Sequence, residues 1–168
     1  MKKYILFALA LALCVPFLNA VDLVKNHKPV GRIVLADTTA VSRSAAELLQ
    51  KWVKRITDAE LPVVQGAKIK NNDLVISSCA QSPVTEDGFS LTPRQGALFL
   101  DGADKGALYG VVSLLEQYGR CNYWSENEFT APVASAFSIP DQPVVDNPAF
   151  RYRQSQNYAL HTDPEYRI

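Results

Sequence analysis

An excess of charge of either sign is what this chain lacks first. Its 168 residues carry 17 Lys and Arg against 17 Asp and Glu, which leaves no electrostatic case for nucleic acid or an anionic membrane surface as partner. Histidine is nearly absent, at 2 residues, and cysteine is scarce, at 3. No His/Cys grouping has zinc-ligand spacing, so no metal and no other cofactor is expected. A phosphate-cradling loop is missing too. Gly102, Gly106 and Gly110 recur every fourth residue, but no Lys-Ser or Lys-Thr follows them and the dinucleotide glycine pattern is absent. Their spacing predicts instead a helix seated closely on a sheet. Ser42, Ser44, Ser113 and Ser125 stand in no nucleophile-elbow context, which argues against a serine-hydrolase triad.

Long apolar runs are confined to the N-terminus. Lys2 and Lys3 precede Tyr4–Phe17, a run short for a bilayer span, and Leu18-Asn19-Ala20 offers a small residue for cleavage before Val21. Residues 1–20 therefore read as a signal peptide of an exported, periplasmic or extracellular protein that holds no membrane after cleavage. Leu11-Ala12-Leu13-Cys14 half-matches a lipobox, and the bulky Leu13 directly before the cysteine argues against a lipoprotein. Removing the two lysines of this segment leaves a net charge of −2 on 148 residues, enough chain for one domain with one core. Cys79 and Cys121 then remain in a compartment that permits a disulfide, and the sequence leaves two alternatives open: a bonded pair or two buried thiols.

Periodicity organises the rest. Gly31–Ala36 reads as a strand, and Asp37, Thr38 and Thr39 offer N-caps to a helix whose inward stripe is Ala45, Leu48, Leu49, Trp52, Val53 and Ile56. Trp52 on that stripe is expected in the core. Leu61–Val64 resumes extended, and Asp73–Ser77 reads as a buried central strand. Gly88–Thr92 and Ala97–Asp101 predict a hairpin with a four-residue connection. A second helix follows, capped by Asp104, with Leu108, Val111, Val112, Leu115 and Tyr118 spaced for burial and Gly119 as C-cap. Ala134–Ile139 suggests an edge strand, and Pro140, Pro143 and Pro148 a stiff connector. The expected fold class is α+β: a mixed β-sheet with two helices packed on one face.

Several of these segments resemble a known module. The helix AAELLQKWVKRIT with LPVV after it, the stretch GFSLT through ALFLDGADKGALYGVVSLLEQYGRCNYW, and the lead-in NPAFRYR are similar to the N-terminal domain of exported glycoside hydrolases of the α-glucuronidase type (family 67). Related domains precede the barrels of β-N-acetylhexosaminidases. The resemblance covers roughly Ile33–Arg153, and it departs where this helix ends in Thr57-Asp58 rather than Thr-Gly. Beside the signal peptide at 1–20 and the Pro-rich linker at 141–150 that the residues themselves suggest, it implies an α-glucuronidase/hexosaminidase-like N-terminal accessory domain at 21–140 and, at 151–168, the truncated start of a catalytic barrel. A (β/α)₈ barrel takes roughly 250 residues, so the glycoside-cleaving carboxylates are expected on a partner barrel domain, not in this chain.

Site residues follow from both readings. The resemblance makes Arg153, Asn157 and His161 substrate-binding candidates that would act only with that barrel; the sugar-binding arginine of hexosaminidases would fall at His161. From the residues themselves, Tyr123 and Trp124 are candidates for stacking on the CH face of a sugar, and no residue is expected to be catalytic. Glu126 and Glu128 form the one close glutamate pair, more readily a solvated turn than an acid/base pair. The expected function is a non-catalytic N-terminal domain of a polysaccharide-degrading glycoside hydrolase, with oligosaccharide or polysaccharide as ligand. The alternative is a free-standing carbohydrate-binding or protein-interaction module.

Overall fold

The computed structural model describes residues 20–125 and 128–150. The apolar and β-branched runs assemble a six-stranded mixed sheet in the order β11 (Val144–Asp146), β6 (Phe89–Arg94), β7 (Ala97–Gly102), β5 (Asp73–Ser77), β3 (Arg32–Leu35), β4 (Val63–Gln65). β4, β3, β5 and β7 run parallel, and β6 and β11 antiparallel to their neighbours. The register aligns Ile33, Leu74 and Leu98 in one row and Leu35, Ile76 and Leu100 in the next. Alternation puts both rows on the same face. All six side chains are buried there, and β5 is buried along its whole length, as its continuous apolar run predicts.

Helix α1 (Ala40–Thr57) starts where the sequence places it. Thr39 is extended at its N-cap and accepts from Ser42 N–H, and Ala45, Leu49, Trp52, Val53 and Ile56 line the buried stripe. Its far end is tied down by its own C-cap and by two distant groups. Asp58, left-handed at φ 60°, donates its N–H to Lys54 O. Ala134 N–H donates to Ile56 O at 2.9 Å, and His27 Nδ1–H donates to Thr57 O at 2.8 Å. These bonds satisfy carbonyls that a helix end would otherwise leave unpaired. Asp58 takes the backbone conformation that a glycine would take with less strain, which gives the Thr-Asp departure a physical meaning.

Helix α2 (Gly106–Gln117) departs from expectation at both ends and in its facing. Asp104 lies at φ 50° and does not cap it; Lys105 precedes the first turn without a side-chain cap bond, and its N–H is held by Asp87 Oδ1. Gly119 keeps a negative φ, and Arg120 at 52° makes the left-handed exit, closed by Cys121 N–H on Leu115 O. The buried face is Ala107, Gly110, Val111, Leu114 and Leu115, which leaves Leu108, Val112 and Tyr118 half-buried. The reason is steric. A Cβ on Gly110 would meet Leu100 Cδ1 at 2.4 Å, and one on Gly106 would meet Gly88 O at 1.7 Å. The helix turns its glycines, not its largest side chains, to the closest part of the sheet.

Both helices pack on the same sheet face and on each other. A second sheet, β10 (Phe137–Pro140), β1 (Ala20–Lys25) and β2 (Lys28–Pro29), adds Val21, Leu23, Val24, Phe137 and Ile139 to the same core. The expected edge strand Ala134–Ile139 appears in part as β10, at the edge of this second sheet and not of the mixed one. The β6–β7 hairpin is tighter than expected: its ladder runs to Arg94↔Ala97, leaving Gln95 and Gly96 as a two-residue turn with φ 52° and 77°. Within the proline-rich stretch, Val144–Asp146 pairs with β6. Those three residues lie between Pro143 and Pro148 and keep their N–H groups for a ladder.

Two outcomes follow for stability. Gly106→Ala should destabilise by about 2–3 kcal/mol or more, since the clash is with backbone, read as a lowered urea midpoint; an unchanged midpoint refutes the close approach. Asp58→Gly should stabilise by about 0.5–1 kcal/mol by relieving the left-handed strain, and a lower melting temperature would contradict that assignment.

Candidate functional site

The exposed aromatic chemistry gathers where α1 meets the hairpin of β8 (Asn122–Ser125) and β9 (Glu128–Thr130). Trp52 anchors it at 6% exposure, in the core as its stripe predicts. Tyr123 meets its ring edge-on at 6.4 Å and 86°, and Phe129 at 5.8 Å and 89°, geometries that favour ring quadrupoles. Arg55, three residues after Trp52 on the helix, places its guanidinium carbon over both rings, with Cζ 4.8 Å from the Trp52 centroid and 4.5 Å from that of Phe129. Phe129 remains 40% exposed. Lys54 pairs with Glu60 at 3.1 Å, whereas among the described residues no carboxylate pairs with Arg55.

Of the residues singled out by sequence, Tyr123 joins this corner half-buried, its ring engaged by Trp52. Trp124 lies on β8, its side chain outside the described part; Arg153, Asn157, His161 and Glu126 also lie outside the described residues. Glu128 is exposed on β9. Arg55 and Phe129 were not singled out. An arginine three residues after a helical tryptophan is a local signal for a stacked pair, but Phe129 reaches it only through the hairpin.

Cys79 and Cys121 are both free, so the disulfide alternative is not formed. Cys79 is exposed just beyond the C-terminal end of β5, whereas Cys121 is buried beyond the far end of α2. A 12-residue helix is about 18 Å long, and bonded cysteines need Cα atoms within about 7 Å. Burial pushes the Cys121 thiol up to about 11, with the nearby Arg55 charge pulling the other way.

Among the described residues three carboxylates depart from their ordinary behaviour. Burial would raise Asp22, but hydrogen bonds from Lys25 and the Ser138 hydroxyl outweigh it and lower it. Asp37 and Asp101 are the other two. Burial would raise Asp37, but its hydrogen bonds outweigh this and hold it well below the usual carboxylate range. Oδ1 accepts from Thr39 N–H and Thr39 Oγ1, and Oδ2 from Ser78 N–H and Ser78 Oγ. A carboxylate satisfied by four donors is a poor base, and it serves to lock the exit of β5 to the start of α1. Burial raises Asp101, with Arg94 and the Ser77 hydroxyl opposing; neither neighbour is a second carboxylate. Beside the aromatic corner a slot of about 70 Å³ opens between Trp52, Leu115 and Tyr123, too small for a sugar ring. A groove of about 350 Å³ runs along the outer side of α2 past Tyr109, Glu116 and Asp146.

No family profile matches the chain. It is 28% identical over 109 residues to a β-hexosaminidase of Porphyromonas gingivalis, an alignment covering 64% of this chain and 13% of that protein. Its fold matches a GH20 β-N-acetylhexosaminidase from Streptomyces coelicolor with a TM-score of 0.57 at 15% identity, over 80% of this chain and 25% of the other. A β-hexosaminidase of Streptomyces plicatus gives 0.54 at 15%, over 73% and 23%. A GH115 4-O-methyl-α-glucuronidase with specificity for decorated arabinogalactans gives 0.50 at 13%, over 78% and 19%. The chain thus spans about a quarter or less of these proteins. At these identities the likeness is one of fold, the α+β fold of a domain carried by glycoside hydrolases. These relatives do not select family 67.

The Asp37 cluster makes a pH prediction. A folded-state pKa below the unfolded value of 3.8 gives stability that is present above that value and lost as pH falls through the folded one. Asp37→Asn should therefore unfold more easily than wild type at pH 7, with the gap narrowing below about pH 4. Chemical denaturation across pH 3–7 checks it; a gap that widens in acid would sink the assignment.

Proposed function

We propose that this chain is the non-catalytic N-terminal domain of an exported, polysaccharide-degrading glycoside hydrolase, and that it buttresses a catalytic (β/α)₈ barrel. The carrying observation is the pattern of coverage: four-fifths of this chain matches a quarter of a GH20 hexosaminidase. The composition of the domain supports the same reading. Its one strongly depressed carboxylate is consumed by structural hydrogen bonds, and Glu128 is an exposed edge residue without a described partner carboxylate. The N-terminal run behind Lys2 and Lys3 supports export. Arg153, Asn157 and His161 are proposed to contact substrate from the barrel side, and the α-glucuronidase type is the finer proposal among hydrolase types.

A second reading, a carbohydrate-binding module without a barrel, is favoured by the exposed Phe129 beside the stacked Arg55. Sequence downstream of Ile168 together with hydrolysis assays separates the two. The first reading expects the continuous protein to hydrolyse chromogenic glucuronides or hexosaminides, and Glu128→Gln to keep that rate within about twofold. Loss of activity in Glu128→Gln, with the melting temperature unchanged, would refute a non-catalytic role. A stop codon at 169 with no barrel would favour the second.

A further inference from the structure

The aromatic corner does more than hold a hairpin. The Arg55 guanidinium carbon lies over two rings set nearly perpendicular, so contact with both restricts the side chain, and no carboxylate among the described residues pairs with it. A planar fork ordered in advance has less freedom to lose on capturing a carboxylate or sulfate. Phe129 supplies an exposed apolar ring within stacking distance of the same fork.

Under the polysaccharide reading, a cation beside an exposed ring suits a sugar ring that bears a negative group. We propose that Arg55 and Phe129 form a surface subsite for an anionic sugar unit of a polysaccharide. Arg55 takes the carboxylate or sulfate, and the CH face of the ring lies on Phe129. The subsite rests on the polysaccharide reading above and adds to it the charge of the ligand. The adjoining slot holds only about 70 Å³, so the sugar is gripped on one side from the surface. Such a subsite suits one unit of a long polymer better than a free monosaccharide, because weak contacts add up along the chain.

Titration of the full chain tests this with three probes: trigalacturonate, its fully methyl-esterified counterpart, and a sulfated galactose disaccharide. Saturable binding of trigalacturonate, the sulfated probe or both is expected, with the neutral ester at least about tenfold weaker. The two anionic arms decide between carboxylate and sulfate. Arg55→Gln should lose about tenfold or more, and Arg55→Lys should fall between, since an ammonium cannot make the forked contact. In wild type, the Arg55 Nε–H resonance should shift on titration, a readout that stands even if a variant unfolds. Absence of binding by both anionic probes, an unmoved Arg55 resonance, or full binding by a folded Arg55→Gln overturns the subsite. Hydrolysis in the same preparation is scored separately, so an active enzyme lacking Arg55-dependent binding defeats this inference and leaves the accessory-domain reading standing.

Discussion

The spacing between α2 and the sheet is the constraint on which the rest of this molecule depends. Gly106 sits so close to the Gly88 carbonyl that no side chain larger than hydrogen fits there, and a Cβ on Gly110 would force Leu100 to move. That approach fixes the start of α2 directly above the β6–β7 hairpin. The direction of α2 then sets where Cys121 and the β8–β9 hairpin emerge. α1 packs against both α2 and the sheet, so its aromatic stripe meets the hairpin only because α2 has delivered it there. The Trp52, Phe129 and Arg55 corner is thus a downstream result of a backbone contact on the other helix.

What the sequence made legible was whatever one element decides for itself. β5, the inward stripe of α1 and the Thr39 cap follow from local pattern, and all are present. The errors lie where two elements compete. Leu108 and Val112 have the spacing of buried residues, yet glycine contacts rotate α2 and leave them half-buried. Asp104 has a capping side chain, but the tight turn after β7 puts its backbone at φ 50°. β1 escaped notice because it abuts the expected signal peptide and becomes a strand only by pairing with β10, more than 110 residues away. The candidate site was half legible. Tyr123 is named from the sequence, whereas Phe129 reaches Arg55 only through the pairing of β9 with β8, which no local pattern announces.

Chemically, the domain spends its polar groups on itself. Asp73, 1% exposed, accepts from Arg32 Nε, Arg32 Nη2 and Lys70 N–H. Asp37 takes four donors, and His27 is committed to a helix carbonyl. Groups so fully engaged hold geometry well and react poorly. Among the described residues Arg55 is an exception, its guanidinium carbon over two rings and paired with no carboxylate.

The two strands that border the main sheet, β4 and β11, are each three residues long, and each lies next to proline, Pro62 before β4 and Pro143 before β11. A sheet with long open margins invites a second copy to add on strand by strand. Here the margins offer too few free N–H and C=O groups for a stable intermolecular ladder, and the prolines stop it from lengthening. The fold therefore carries its own guard against fibrous self-association. This protection would matter most while the chain is newly made and any larger partner domain is still unfolded beside it.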